Sequence, residues 1–298
     1  MAGGGAAPPA EAVKGARGVS AAVTVVIAIV TFLGGLGVGA FFLAPAPTGA
    51  PVTFLIVGTN TPFPPFVQRN RTTTAIEGFD VDLIVKILDR SGWKDKYDLI
   101  DYRSFEPLLT AIAKGQVHVM IGGITSNLET GARRNATIDF TDWCYESDQG
   151  VLVRKTETRD ICPNPNDCTA ADLNKTAYAG KVGVQEVTTS FYWADAELAN
   201  VKPLKVYGGV SELLLALKQN AVDIVIIDKP AADGIVAQNP NDFKAEGAIQ
   251  TNELYAFAVN NNDPLGLLPK FNAALAAMKQ DGTYRQIFLK WFKTEPPA

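Results

Sequence analysis

Few side chains in this sequence could act as metal ligands or as a histidine-based catalytic pair. The 298 residues include one histidine, His118, and three cysteines. Two of the cysteines, Cys162 and Cys168, enclose a short loop rich in turn-forming residues. Zinc would need two more ligands than the loop supplies, and two free thiols are the other alternative. We favour a disulfide between them, expect Cys144 to be a small buried side chain, and predict no metal and no cofactor.

An uncharged N-terminal segment bears on where the chain resides. Val19 to Leu43 contains 25 residues, none more polar than Ser or Thr, whereas about 20 apolar residues suffice to span a bilayer. A cleaved signal peptide, the alternative, has a shorter apolar core. Lys14 and Arg17 precede the segment and favour an internal N-terminus. We therefore predict a cytoplasmic tail over 1–18, a transmembrane anchor over 19–43 and a linker over 44–51. An outside location also favours the disulfide.

The overall charge limits the partners of the remaining chain. The net charge is -4, and Lys and Arg form no dense block. Nucleic acid is an unlikely partner because phosphate binding needs a basic surface. The length suits two lobes, each with its own core.

Short apolar runs alternate with amphipathic segments along this remaining chain, a pattern typical of α/β folds. Strands are predicted over 54–59, 98–102, 117–124, 181–184, 203–207, 221–228 and 254–260. Helices are predicted over 78–93, 105–115, 188–198, 211–219, 230–238, 271–282 and 283–292. The order β-α-β-α-β occurs twice, which predicts two similar halves rather than one long sheet. A ligand cleft is expected at the strand ends.

Seven segments, in order, carry a family resemblance. They are GTNTPFPPF (58–66), EGFDVDL (77–83), FEPLLTAIAKGQVHVMIGGIT (105–125), IDFTDWCYES (138–147), KVGVQEVTTS (181–190), VDIVIIDKPAA (222–232) and DGTYRQIFLKWF (281–292). Together they resemble the family 3 extracellular solute-binding proteins, the polar amino-acid receptors of bacterial and archaeal importers. The resemblance extends over residues 53–293.

The resemblance implies a fold and a function. The fold would be the two-lobed, type II periplasmic-binding-protein-like α/β fold, with a mostly parallel sheet flanked by helices in each lobe. Lobe 1 would comprise 52–148 and 254–298, and lobe 2 would comprise 149–253. Outside the membrane, the two lobes would close on a small amino-acid-like solute and deliver it to the membrane subunits of an ABC importer. The protein would not be an enzyme.

The resemblance also implies a binding site with opposite charges. The carboxylate of an amino acid suits the bidentate guanidinium of Arg134, and its ammonium suits Asp228. The remaining implied ligand-binding residues are Asn60, Phe63, Phe105, Gly123, Thr125, Gln185, Thr188 and Thr189. Phe63 and Phe105 would sandwich the ligand, and helix-end N–H groups near Thr188 and Thr189 would add donors. Because an amide stands at Asn60, we expect a neutral amino acid.

Several alternatives stay open at this point. Four extra residues between Thr125 and Arg134, relative to the family, leave Arg133 as an alternative carboxylate ligand. Asp228 could instead cap a helix, and the two phenylalanines could belong to the core.

Two further functions also stay open. One is a cyclohexadienyl or arogenate dehydratase on the same fold, with Glu129 or Glu186 as general acid. The other is a ligand-sensing membrane receptor.

Overall fold

The computed structural model describes residues 52–297. The predicted tail, anchor and linker (1–18, 19–43 and 44–51) lie outside these residues. Within the described part of the chain, no helix is long and apolar enough to cross a membrane.

Every predicted strand and helix overlaps an observed one, and further elements lie between them. The strands are β1 (Leu55–Thr59), β2 (Gln68–Arg69), β3 (Ile76–Glu77), β4 (Tyr97–Asp101), β5 (Val119–Thr125), β6 (Ile138–Phe140), β7 (Tyr145–Arg154), β8 (Val182–Gln185), β9 (Lys205–Tyr207), β10 (Ile224–Asp228) and β11 (Phe243–Asn260). The α-helices are α1 (Phe79–Arg90), α2 (Phe105–Ala113), α3 (Leu128–Asn135), α4 (Ala170–Leu173), α5 (Thr189–Glu197), α6 (Val210–Lys218), α7 (Lys229–Gln238), α8 (Leu268–Gln280) and α9 (Thr283–Phe292).

Helix α1 shows how the local sequence determines one of these elements. Val81, Ile84 and Leu88 recur at helical spacing and are buried. Gly78, just before the helix, has φ of 150°. A Cβ atom there would lie 1.9 Å from the carbonyl oxygen of Phe66. Only glycine allows the backbone to come this close to Phe66. The chain can therefore enter α1 directly after the hairpin of β2 and β3.

Two sets of parallel strands form the two ends of the main sheet. Strands β4, β1 and β5 are parallel neighbours, and we call them the first parallel half. Strands β10, β8 and β9 are likewise parallel neighbours, and we call them the second parallel half. The sheet order is β4-β1-β5-β11-β7-β10-β8-β9, with β6 also paired to β11. The carboxyl ends of β5 and β10 thereby border one region of the molecule.

The prediction of two separate sheets is wrong. Strands β7 and β11 pair antiparallel with each other, and they join β10 on one side to β5 on the other. One of the apolar clusters also spans both halves, because it contains both Leu55 of β1 and Val225 of β10. The sequence pattern missed β7 since its first half, Tyr145 to Gln149, contains mostly polar residues.

The pairing of β7 with β11 is interrupted where the two parallel halves meet. Gln149 pairs with Ile249 and Ser147 pairs with Glu253, so one residue of β7 faces three residues of β11. Between them the Asp148 carboxylate accepts hydrogen bonds from the N–H groups of Thr251 (2.8 Å) and Asn252 (2.9 Å). These bonds satisfy backbone donors that the ladder leaves unpaired.

The predicted disulfide is confirmed: Cys162 and Cys168 are joined, and Cys144 is a buried free thiol. The disulfide loop packs on β11, where Cys168 N–H donates to the Ala248 carbonyl (2.7 Å). The zinc and free-thiol alternatives for the loop are thereby removed.

Candidate functional site

A cavity of about 520 Å³, counting the part open to solvent, lies between the carboxyl ends of β5 and β10. All ten residues predicted to bind ligand line it. They are Asn60, Phe63, Phe105, Gly123, Thr125, Arg134, Gln185, Thr188, Thr189 and Asp228. The family resemblance therefore indicates which residues the fold brings together.

Helix α3 directs one of two adjacent arginines into the cavity. Arg134 is 8% exposed, and its Nη1 donates to the Thr125 carbonyl at 3.0 Å. Its Cζ lies 5.3 Å from the centre of the Phe105 ring. Arg133 instead points outward with a 59% exposed side chain, and it pairs with Glu129 at 2.5 Å. Of the two alternatives, Arg134 is thus the guanidinium that faces the cavity.

Burial changes the electrostatics of Arg134. Loss of water lowers the pKa of its guanidinium, and the carboxylates of Glu253 and Asp228 oppose this shift. An arginine stays protonated even so. The cavity therefore contains a fixed positive charge that its two carbonyl partners satisfy only in part.

Asp228 supplies a negative charge from the second parallel half. It ends β10 and precedes α7, but its side chain makes no helix-cap hydrogen bond. Its Oδ1 accepts from Gln149 Nε2 (3.0 Å) and from the Tyr255 hydroxyl (2.5 Å). Burial, followed by the nearby charge of Glu253, raises the pKa of this carboxyl.

The α5 end of the cavity provides donors and one strained residue. The Thr188 hydroxyl accepts from Phe191 N–H at 3.2 Å and so caps α5. The Thr189 and Thr125 hydroxyls lie 3.1 Å apart, which connects the two parallel halves across the cavity. Val187 has φ of 52°, a conformation unfavourable for a β-branched residue.

An aromatic ring and two amides also line the cavity. Gly123 has φ of 68°, and a Cβ there would lie 2.6 Å from Phe63 Cε1, so the glycine allows the ring to approach the strand. Asn60 Nδ2 donates to the Tyr102 carbonyl. Gln185 Nε2 donates to the Gly208 carbonyl at 3.1 Å.

Asp80 supports the cavity wall from behind. Its Oδ2 accepts from the N–H groups of Gly122 and Gly123, both at 2.9 Å. Burial raises the pKa of this carboxyl to about 7, although the two hydrogen bonds favour its charged form. His118, in contrast, has a structural contact: its Nδ1 accepts from Ile56 N–H at 2.8 Å.

Comparison with known proteins agrees with this geometry. The family model of the bacterial extracellular solute-binding proteins, family 3, matches residues 55–294. The chain belongs to this family. The predicted family and its α/β periplasmic-binding-protein-like fold are therefore confirmed.

Named relatives of this solute-binding protein span most of its length. It is 26% identical over 243 residues to the ABC transporter glutamine-binding protein of Bacillus subtilis (strain 168), covering 81% of this chain and 82% of the relative. It is 24% identical over 241 residues to a probable histidine-binding protein of Campylobacter jejuni, covering 80% and 84%.

Solved structures share the same fold. An ancestral arginine-binding protein bound to glutamine gives a TM-score of 0.69 at 34% identity, covering 81% of this chain and 99% of that one. The arginine-, lysine-, histidine-binding protein of Geobacillus stearothermophilus gives 0.68 at 29% identity, covering 82% and 96%.

Three polar residues of this solute-binding protein escaped the sequence analysis although they lie against the predicted site. Glu253 and Gln149 are both 0% exposed, and Tyr255 is 1% exposed. A sequence signal existed for one of them, since Glu253 directly precedes the apolar run LYAFAV, where an acid is costly to bury without partners.

Proposed function

We propose that this protein captures one amino-acid-like solute in the cavity and delivers it to the membrane subunits of an ABC importer. The observation that supports this most is a pair of opposite charges in the cavity lining. Arg134 lies on one wall and Asp228 lies on another. A free amino acid has a carboxylate and an ammonium on one carbon. Each charge of such a zwitterion would meet its complement, which repays the cost of removing both from water.

The other lining groups fit the same ligand. The N-terminal N–H groups of α5, near Thr188 and Thr189, favour a carboxylate. The rings of Phe63 and Phe105 would cover the aliphatic part of the ligand. Contacts from both parallel halves would favour a closed state when ligand is present.

The side chain of the ligand is proposed to be neutral. Among the described residues that line the cavity, Asp228 is the single acid, and we assign it to the ammonium. Asn60 and Gln185 contribute amides to the wall, which can exchange hydrogen bonds with an uncharged polar group. The amino acids that appear in the names of related binding proteins include glutamine, histidine and arginine.

The protein is proposed to bind without chemical turnover. Glu129, one of two candidate general acids, is 79% exposed and paired with Arg133. The other, Glu186, is half-buried and is not among the residues that line the cavity. The matched family consists of binding proteins. Release of phenylpyruvate by the purified chain would contradict this part of the proposal.

We further propose that residues 19–43 anchor the protein as a single membrane span, with the binding region outside. The support is the run of 25 residues without charge and the preceding Lys14 and Arg17. The lobe boundaries near 148 and 253 also stay a proposal. The interruption of β7–β11 pairing lies at these positions.

A thermal-shift screen of the twenty standard amino acids on the full chain tests the binding proposal. Ligand at 100 times its dissociation constant adds about 2.7 kcal/mol to folded-state stability. We expect at least one amino acid to raise the melting temperature.

The same screen on three variants tests the residues. We expect the stabilisation to disappear in Arg134→Ala and in Asp228→Ala, because each leaves one ligand charge unpaired. Arg133→Ala is the matched control and should retain it. Loss of binding in Arg133→Ala with normal binding in Arg134→Ala would show that the assignment is wrong.

A further inference from the structure

A buried chain of hydrogen bonds behind the cavity connects the two parallel halves. The Thr125 hydroxyl donates to Glu253 Oε2 at 2.6 Å, and Gln149 Nε2 donates to Glu253 Oε1 at 2.6 Å. The same Gln149 amide donates to Asp228 Oδ1 at 3.0 Å. Two proposed ligand-binding residues, Thr125 and Asp228, are thus joined through two residues that do not line the cavity.

The strands that carry this chain are the ones that join the two halves. Gln149 belongs to β7 and Glu253 to β11, and both lie at the interruption of the β7–β11 pairing. Glu253 is completely buried, with three donors around its carboxylate: Thr125, Gln149 and Thr251. An acid with that many partners at such a position costs less to bury than an unpaired one.

The charges around Asp228 come from several elements. Arg134 of α3 faces it with a positive charge, Glu253 of β11 with a negative one, and Tyr255 of β11 with a donated hydrogen bond. Tyr192 of α5 lies near Arg134. Lys229 of α7 is paired with Asp233. One buried guanidinium therefore faces two buried carboxylates.

We propose that Glu253 is a positioning residue of the binding site, which orients Thr125 and Gln149 and, through Gln149, sets the orientation and charge of Asp228. This inference rests on the proposed function, because Asp228 is the proposed partner of the ligand's ammonium. Glu253 itself does not touch the ligand.

The pH dependence of binding separates this role from a purely structural one. Asp228 must be ionised to accept an ammonium, so binding weakens as pH falls through its pKa. Burial and the charge of Glu253 both raise that pKa. Glu253→Gln removes the charge and keeps the shape. The loss of binding should therefore occur at lower pH in this variant, by about one pH unit, the effect of a nearby like charge.

The experiment compares the full-length wild type with Glu253→Gln from pH 4.5 to 8.5. The probe is an equimolar mixture of the twenty standard L-amino acids, and the readout is the rise in melting temperature that it causes. The midpoint is the pH at which this rise is half its maximum. Glu146→Gln, the same substitution at an exposed residue of β7, is the matched control and should keep the wild-type midpoint.

Each outcome decides the inference. An unchanged midpoint in Glu253→Gln overturns it while leaving the proposed function intact. A wild type that the mixture does not stabilise at any pH contradicts the proposed function, and the inference falls with it.

A second variant covers the case in which Glu253→Gln does not fold. Gln149→Met removes the amide that lies between the two carboxylates, so their repulsion should move the midpoint toward higher pH. A midpoint that is unchanged or moves lower overturns the inference.

Discussion

Arg134 and Asp228 reach the same cavity from different halves of the sheet, and the sequence alone explains neither placement. Helix α3 contains few apolar residues, so no hydrophobic pattern predicts that Arg134 faces inward while Arg133 faces solvent. Asp228 directly follows the apolar run IVII (224–227), a position equally typical of a helix cap. In both cases the prediction came from the position of the residue within the family motif and not from the local pattern.

The buried polar residues could not be predicted because their partners are distant in the sequence. Glu253 contacts Thr125 and Gln149, which lie 128 and 104 residues away. These distances become short only once β5, β7 and β11 are neighbours. Burial of an acid at the start of an apolar strand could indicate a polar network, but not its members.

Asp80 gives a test of stability that is independent of ligand. Its carboxyl has a pKa of about 7 in the folded protein and an ordinary value of 3.8. Between these pH values the folded state binds more protons than the unfolded state, so this group lowers stability as pH rises from about 4 to 7. The free energy of unfolding of wild type should therefore fall relative to that of Asp80→Asn as pH rises. Between pH 4.5 and 8, this difference should change by roughly 2–4 kcal/mol in favour of the variant.

Urea unfolding of the full chain at these two pH values measures that difference. The amide oxygen of asparagine can still accept from the N–H groups of Gly122 and Gly123. Asp98→Asn, at an exposed position of β4, is the control: because it retains Asp80, its difference in stability from wild type should change little with pH. An equal effect of pH on wild type and Asp80→Asn would show that Asp80 is not the group responsible.

Strands and helices were predicted where an apolar run or an apolar helix face marks them in the sequence. Helix α9 was predicted over 283–292 and is observed at Thr283–Phe292. Strand β11 was predicted only over 254–260 but begins at Phe243. Polar residues recur throughout its earlier part, from Phe243 to Glu253, so no long apolar run marks it in the sequence. The missed part and β7 are the segments that join the sheet.

The disulfide loop is a local element whose contribution can be measured. Besides the cross-link, Ala248 N–H donates to the Pro165 carbonyl at 2.9 Å and Gln250 Nε2 donates to the Asn166 carbonyl at 2.8 Å. The double variant Cys162→Ser/Cys168→Ser should lose about 2 kcal/mol of stability, the chain-entropy value for so short a loop.

Urea unfolding with and without reductant tests this value. Reductant should lower the stability of wild type to that of the double variant and leave the variant unchanged. Cys144 is present in both proteins and so serves as the internal control for a free thiol. Equal stability of the oxidised wild type and the variant would contradict a stabilising role.

The described part of the chain, residues 52–297, contains one main sheet with two parallel ends and the candidate binding cavity between them. Strands β7 and β11 connect the ends, and their pairing is interrupted beside Asp148. A ligand that contacts both ends would favour the arrangement in which Arg134 and Asp228 face it together. Under the proposed function, ligand recognition therefore depends on two opposite charges supplied by two halves of one fold.

A calorimetric titration with chemically blocked ligands tests this recognition most directly. The full-length wild type would be titrated with the amino acid that stabilises it most, with its C-terminal amide, and with its N-acetyl form. Loss of one partner of a buried charge pair typically costs 2–5 kcal/mol, so we predict that each blocked form binds at least about 30-fold more weakly. Binding of either blocked form within a few-fold of the free amino acid would contradict the account.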